Sequence, residues 1–160
     1  MNANKNQLGF GLVEVVIAIA IAGSFIMVLA AVNTIYIKIS LSQSSKIQAA
    51  FLAEEGLEAM RFAKDESWDT NILPLTNGVE YYLAFTGTSW QATVVPTYVG
   101  IFGRRILLNE VYRDAGDDIT TTGGTLDPGT RFITATVSWL EYGATSTKVV
   151  STYITNLFSN

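Results

Sequence analysis

The sequence predicts an α+β protein. One long N-terminal α-helix, membrane-spanning in its first half and amphipathic in its second, packs on a C-terminal antiparallel β-sheet. Three observations carry this prediction. An apolar run at residues 10–32 holds a single charge, Glu14. No proline precedes Pro74, so nothing breaks a helix that starts in that run. From about residue 66 the pattern changes to short segments, several of them alternating, divided by Gly, Asp and Thr clusters.

Composition narrows the function. The chain has 160 residues, 49% hydrophobic and 15% charged, with a mean hydropathy of +0.30. A disordered protein needs the opposite balance. Ten Lys+Arg against fourteen Asp+Glu give a net charge of −4, so no nucleic-acid partner is predicted. The absence of Cys removes disulfides, a thiol nucleophile and thiolate zinc sites. The absence of His removes the commonest general base and metal ligand. No catalytic residue, metal ligand set or cofactor is therefore assigned, and the chain is not expected to be an enzyme.

The first element is Phe10 to Val32, FGLVEVVIAIAIAGSFIMVLAAV. As a helix it spans roughly 34 Å at ~1.5 Å per residue, matching a hydrocarbon core of about 30 Å. A polar leader, MNANKNQLG, precedes it with Lys5 as its only basic side chain, and Lys38 and Lys46 follow. The weak charge bias favours leader in, C-terminus out. A secretory signal cut after Ala20-Ile21-Ala22 is the rival reading. Glu14 argues against it, because a carboxylate at membrane depth costs several kcal/mol and marks function.

Gly9-Phe10-Gly11-Leu12-Val13-Glu14 resembles the prepilin signature of type IV pilins and type II secretion pseudopilins. The resemblance implies that a prepilin peptidase cuts after Gly9 on the cytoplasmic side and that Phe10 is N-methylated. It also implies that Glu14 of one subunit neutralises the Phe10 ammonium of its neighbour during assembly. Two charges in a low-dielectric bundle are tolerated only as a pair. Glu14 reaching to a nearby headgroup is the alternative. Gly11 departs from the family, which usually has Thr or another small residue there. The apolar run also lacks the proline of many major pilins.

The second half of the helix is residues 33–65. Ala49, Leu52, Ala53, Gly56, Leu57, Met60 and Ala63 form one apolar stripe. Leu52, Leu57 and Met60 are its main sheet-packing residues. Glu54, Glu55, Glu58, Arg61, Lys64 and Asp65 form a solvated face, with helical pair spacing at Glu58–Arg61 and Arg61–Asp65. A helix from Phe10 to Lys64 would be about 80 Å long. Gly23 and Ser24 are its predicted point of loosening.

The head reads as strands. Val79–Phe85 and Trp90–Val95 flank TGTS as a hairpin, Arg104–Tyr112 alternates imperfectly, and residues 114–130 read as turns. Arg131–Leu140 alternates with Ile133, Ala135, Val137 and Trp139 on one face, EYGATS turns, and Thr147–Leu157 closes the chain. The hairpin around ATVSWLEYGATSTKVVSTYITN and the helix end LAEEGLEAMRFAKDESWD resemble minor pilins and related pseudopilins. No disulfide-bounded loop is possible, which leans away from a major pilin. The expected organisation is a leader at 1–9, a membrane and assembly segment at 10–32, an amphipathic segment at 33–65 and a β-rich head at 66–160.

Other chemistry is thin. Asp114, Asp117, Asp118 and Asp127 offer oxygen ligands suited to Ca²⁺, but their spacing is not that of an EF-hand and such loops are usually turns. The head aromatics read as packing, with an adhesive or glycan-binding patch as a minority reading. The leading expectation is a pilin-like filament subunit, minor pilin or pseudopilin. It would be held by its helix in the cytoplasmic (inner) membrane with the head outside, then moved into a pilus or pseudopilus. Its implied partners are the prepilin peptidase, other pilin subunits, membrane lipid before assembly, and the membrane assembly platform with its ATPase, contacted indirectly. The alternative is a membrane-anchored or secreted β-rich binding protein that never polymerises. An anchored hydrolase would need a reactive site that the residues do not supply.

Overall fold

The computed structural model describes residues 11–157. Helix α1 covers Leu12–Glu66 and a single short helix, α2, covers Trp68–Asn71. Seven strands follow: β1 Glu80–Phe85, β2 Trp90–Thr93, β3 Tyr98–Val99, β4 Phe102–Arg113, β5 Ile119–Thr120, β6 Thr125–Glu141 and β7 Ala144–Thr155. The chain divides into two compact units, Met1–Gln43 and Ser44–Asn160.

In the second unit α1 buries Ala49, Ala53, Gly56, Leu57, Ala59, Met60 and Ala63. Leu52 is half-buried against the same core. Four alanines and a glycine let the helix backbone approach the sheet closely. A Cβ on Gly56 would lie 3.1 Å from Arg104 Cδ and 3.2 Å from Ile106 Cδ1, so any larger side chain must displace one of them. Helix α1 ends where Asn71 Nδ2 and the Ser67 N–H both donate to the Ala63 carbonyl, at 3.0 and 3.2 Å. Ser67 Oγ then accepts from the Thr70 N–H and caps α2.

The sheet is antiparallel, in the order β2-β1-β4-β6-β7, with β3 and β5 paired to β4. Ile133, Ala135, Val137 and Trp139 of β6 are buried, as are Ile106 and Leu108 of β4. Phe132, Thr134, Thr136 and Ser138 alternate with the β6 set and are half-buried. This is the pattern of an antiparallel sheet with one covered face and one wet face.

Three details differ from the sequence reading. The turn-like stretch 114–130 contains β5 and the first six residues of β6. Pro128 and Gly129 do not end the strand. They fall in an irregularity between the pairs Val111↔Asp127 and Glu110↔Arg131, where Pro128, Gly129 and Thr130 have no β4 partner, and a bulge tolerates the missing proline N–H. EYGATS contracts to a two-residue turn at Tyr142 and Gly143, with φ of 50° and 84°, closed by the pair Glu141↔Ala144. Two successive positive φ values define the tight hairpin turn whose twist matches its strands. Finally, α1 runs unbroken through Gly23 and Ser24.

Candidate functional site

The N-terminal segment carries the strongest chemical pattern. Gly9 and Phe10 lie outside the described residues. From Gly11 the geometry is visible: its carbonyl accepts from the N–H groups of Glu14 and Val15, at 2.9 and 3.4 Å. Glu14 therefore stands in the first turn of α1. A carboxylate there faces the unsatisfied N–H groups and the positive end of the helix dipole, worth about 0.3–1 kcal/mol at an exposed site. The spacing of the motif alone gave no sign of this second role.

From Gly11 to Leu41 every side chain is exposed apart from the half-exposed Gly23. Leu12, Phe25, Met27 and Leu29 present apolar surface in all directions. This stretch makes α1 long and apolar enough to cross a membrane, and none of it is buried within the chain. Its two central hydroxyls are satisfied locally. Ser24 Oγ donates to the Ala20 carbonyl at 2.8 Å and Thr34 Oγ1 to the Ala30 carbonyl at 3.0 Å. In lipid, where no water can serve them, such internal bonds are what makes a hydroxyl tolerable.

The remaining predicted residues lie in the second unit. Leu57 and Met60 are buried in the helix–sheet core, beside the half-buried Leu52. Asp114 Oδ1 accepts from the N–H groups of Gly116 and Asp118, at 2.8 and 3.1 Å. Asp127 pairs with Arg113, whose Nε lies 2.7 Å from Oδ2. That hydrogen bond holds the Asp127 carboxyl below the ordinary carboxylate range and raises Arg113. Among the described residues, no group of three carboxylates converges as a metal ligand set would.

One polar arrangement escaped the sequence reading. Arg104, only 4% exposed, reaches Glu55 Oε2 at 3.0 Å and lies 5.3 Å from the centre of the Trp90 ring. Its guanidinium is covered on one side by α1 and on another by an aromatic face. The only available signal was Glu55, assigned to the solvated face, standing next to Gly56 of the apolar stripe.

Residues 4–30 match the family model described as the prokaryotic N-terminal methylation motif. No curated protein and no solved structure matches the chain. The matched stretch contains Gly9, Phe10 and Glu14 together with most of the exposed apolar helix. The chain therefore carries a prepilin signature of the type IV pilin and pseudopilin kind, which points to a family of structural subunits. The helix stripe on an antiparallel sheet is a pilin-like α+β arrangement.

Proposed function

We propose that this chain is a structural subunit, a minor pilin or pseudopilin, of a type IV pilus-like filament or of a secretion or competence pseudopilus. The observation that carries the reading is the methylation motif at the head of a helix whose apolar stretch is exposed all round. Such a surface needs an apolar environment. Lipid supplies it before assembly, with the leader in the cytoplasm and the head outside. The helices of other pilin subunits supply it afterwards. Prepilin peptidase removes residues 1–9 and the new Phe10 amine is methylated. The assembly platform and its ATPase act from the membrane and do not touch the head directly.

Glu14 gives the mechanism its test. In the filament it neutralises the Phe10 ammonium of a neighbouring subunit. Glu14→Ala leaves the cleavage junction and the apolar span intact, so processing and insertion should survive. Incorporation should fail, because an uncompensated buried charge costs about 3–5 kcal/mol, roughly a hundred- to several-thousand-fold in the addition equilibrium. Glu14→Gln should be intermediate. The readout is each variant's fraction in sheared filaments at wild-type levels of the other components. Wild-type incorporation of Glu14→Ala would leave Glu14 with only its local role at the helix N-terminus.

A further inference from the structure

We propose that one end of the β-sheet, an apolar rim around Tyr98, Ile101 and Leu140, rests in the interfacial layer of the lipid bilayer that holds the chain before assembly. The proposal rests on the reading of the apolar helix as a membrane anchor. Two hairpin turns form the rim. β3 joins β4 through Gly100 and Ile101, and β6 joins β7 through Tyr142 and Gly143. The turns are neighbours, because Gly103 pairs with Ser138 and the Phe102 ring lies 5.8 Å from that of Trp139. Ile101 and Leu140 are the next residues outward on the two strands, 64% and 70% exposed. Tyr98, Val99 and Tyr142 beside them are exposed as well. The Tyr98 ring lies across Gly103, where a Cβ would meet it at 3.3 Å.

This is the end at which the chain enters the second unit. Lys46, near the start of the unit's helical part, lines a cavity with Trp139 and Ser146, next to the rim. Arg61, further along the helix, reaches Thr152 Oγ1 at 3.4 Å. Helix and β7 thus advance away from the rim together. In sequence, the exposed apolar run ends at Leu41, about one and a half helical turns before Lys46. From Leu12 to Leu41 that run measures on the order of 45 Å at ~1.5 Å per residue, against about 30 Å of hydrocarbon. A span longer than the hydrocarbon tilts, so the helix leaves the bilayer obliquely and the residues that follow start at the membrane surface.

The composition of the rim selects the bilayer. Residues 94–103, VVPTYVGIFG, hold no charge. Residues 138–147 hold one, Glu141, which accepts from the Ser146 hydroxyl at 3.1 Å. The opposite end of the same strands is acidic. Asp114, Asp117 and Asp118 lie in the loop after β4, and Asp127 lies near the start of β6. A bilayer containing anionic lipid repels that end and accepts this one. Tyrosine is a residue type that collects at the membrane–water boundary, where its ring is buried and its hydroxyl stays wet. Tyr98 and Tyr142 stand beside the aliphatic pair in that way.

The chain has no cysteine, so the test places one environment-sensitive fluorophore on the full chain through Ile101→Cys, Leu140→Cys, Thr121→Cys or Val28→Cys. Each labelled chain is reconstituted in phosphatidylethanolamine–phosphatidylglycerol vesicles, with and without lipids carrying a shallow nitroxide quencher. The probes at 101 and 140 should be blue-shifted and quenched about twofold or more relative to the probe at 121, at the acidic end. The probe at 28 reports the anchor. Ile101→Asp, added to the Leu140→Cys chain, should bring quenching at 140 down to the level at 121, because a carboxylate resists the interface beside anionic lipid. Quenching at 28 without quenching at 101 and 140 overturns the proposal and leaves the anchor standing. No quenching at 28 overturns the anchor and the proposal with it. Rim probes that are blue-shifted but unquenched place the rim against a second copy of the chain and overturn the proposal. Quenching at 140 that Ile101→Asp leaves unchanged overturns it as well.

Discussion

Arg104 shows how one side chain ties the head to its helix. Its guanidinium sits beneath α1, held by the half-exposed Glu55 and by Trp90. Removing Glu55 strands a buried charge, whereas removing the adjacent, exposed Glu54 strands nothing. Glu55→Gln should therefore cost roughly 1–3 kcal/mol and Glu54→Gln within about 0.5 kcal/mol, measured as unfolding free energies in the same detergent. Equal costs would show that the Arg104–Glu55 contact contributes nothing beyond surface charge. Asp127 makes a pH prediction. Its carboxyl is held low in the folded state, chiefly by the Arg113 hydrogen bond. A depressed folded-state pKa stabilises above the ordinary carboxylate value of about 4 and loses that contribution as pH falls through the folded value. The melting-temperature gap between wild type and Asp127→Asn should thus be present at neutral pH and shrink in acid. A gap independent of pH would assign the pair a purely steric role. The effect is small, because both side chains keep part of their surface in water, which screens the pair.

At the scale of elements, the second half of α1 is what the sheet needs. The stripe from Ala49 to Ala63 covers Ile106, Leu108, Ile133, Ala135 and Val137. A chain beginning at Ser40 should fold cooperatively without detergent, and one beginning at Ser67 should aggregate or be molten, because several hundred Å² of apolar sheet would lie bare. Equal cooperative melting of both chains would refute the helix-on-sheet account. The stripe was legible because a 3.6-residue period survives over four turns, and β6 was legible because Ile133, Ala135, Val137 and Trp139 alternate without error. Local chemistry misled elsewhere. Pro128-Gly129 has the composition of a turn, yet pairing on both sides carries the strand through it as a bulge. Arg104 and Arg105 are neighbours in sequence, and the β4–β6 register, which sets Arg104 opposite the buried Val137 and Arg105 opposite Thr136, decides that Arg104 points inward. The Trp139 N–H finds no acceptor among the described residues, which leaves no trace in the linear pattern.

For the whole molecule, the account rests on a chain whose N-terminal stretch exposes apolar surface in every direction and whose C-terminal unit closes its own core. The first needs lipid or other helices around it. The motif within residues 4–30 is what implies processing, and it was readable from sequence because it is short, local and set at a sharp polar-to-apolar boundary. The intact mass of the protein recovered from membranes tests this most directly. The account predicts a chain beginning at Phe10 and carrying one added methyl group, with Gly9→Leu retaining the leader. An uncut chain, or one cut after Ala22, would contradict it and leave an anchored or secreted β-rich binding protein in its place.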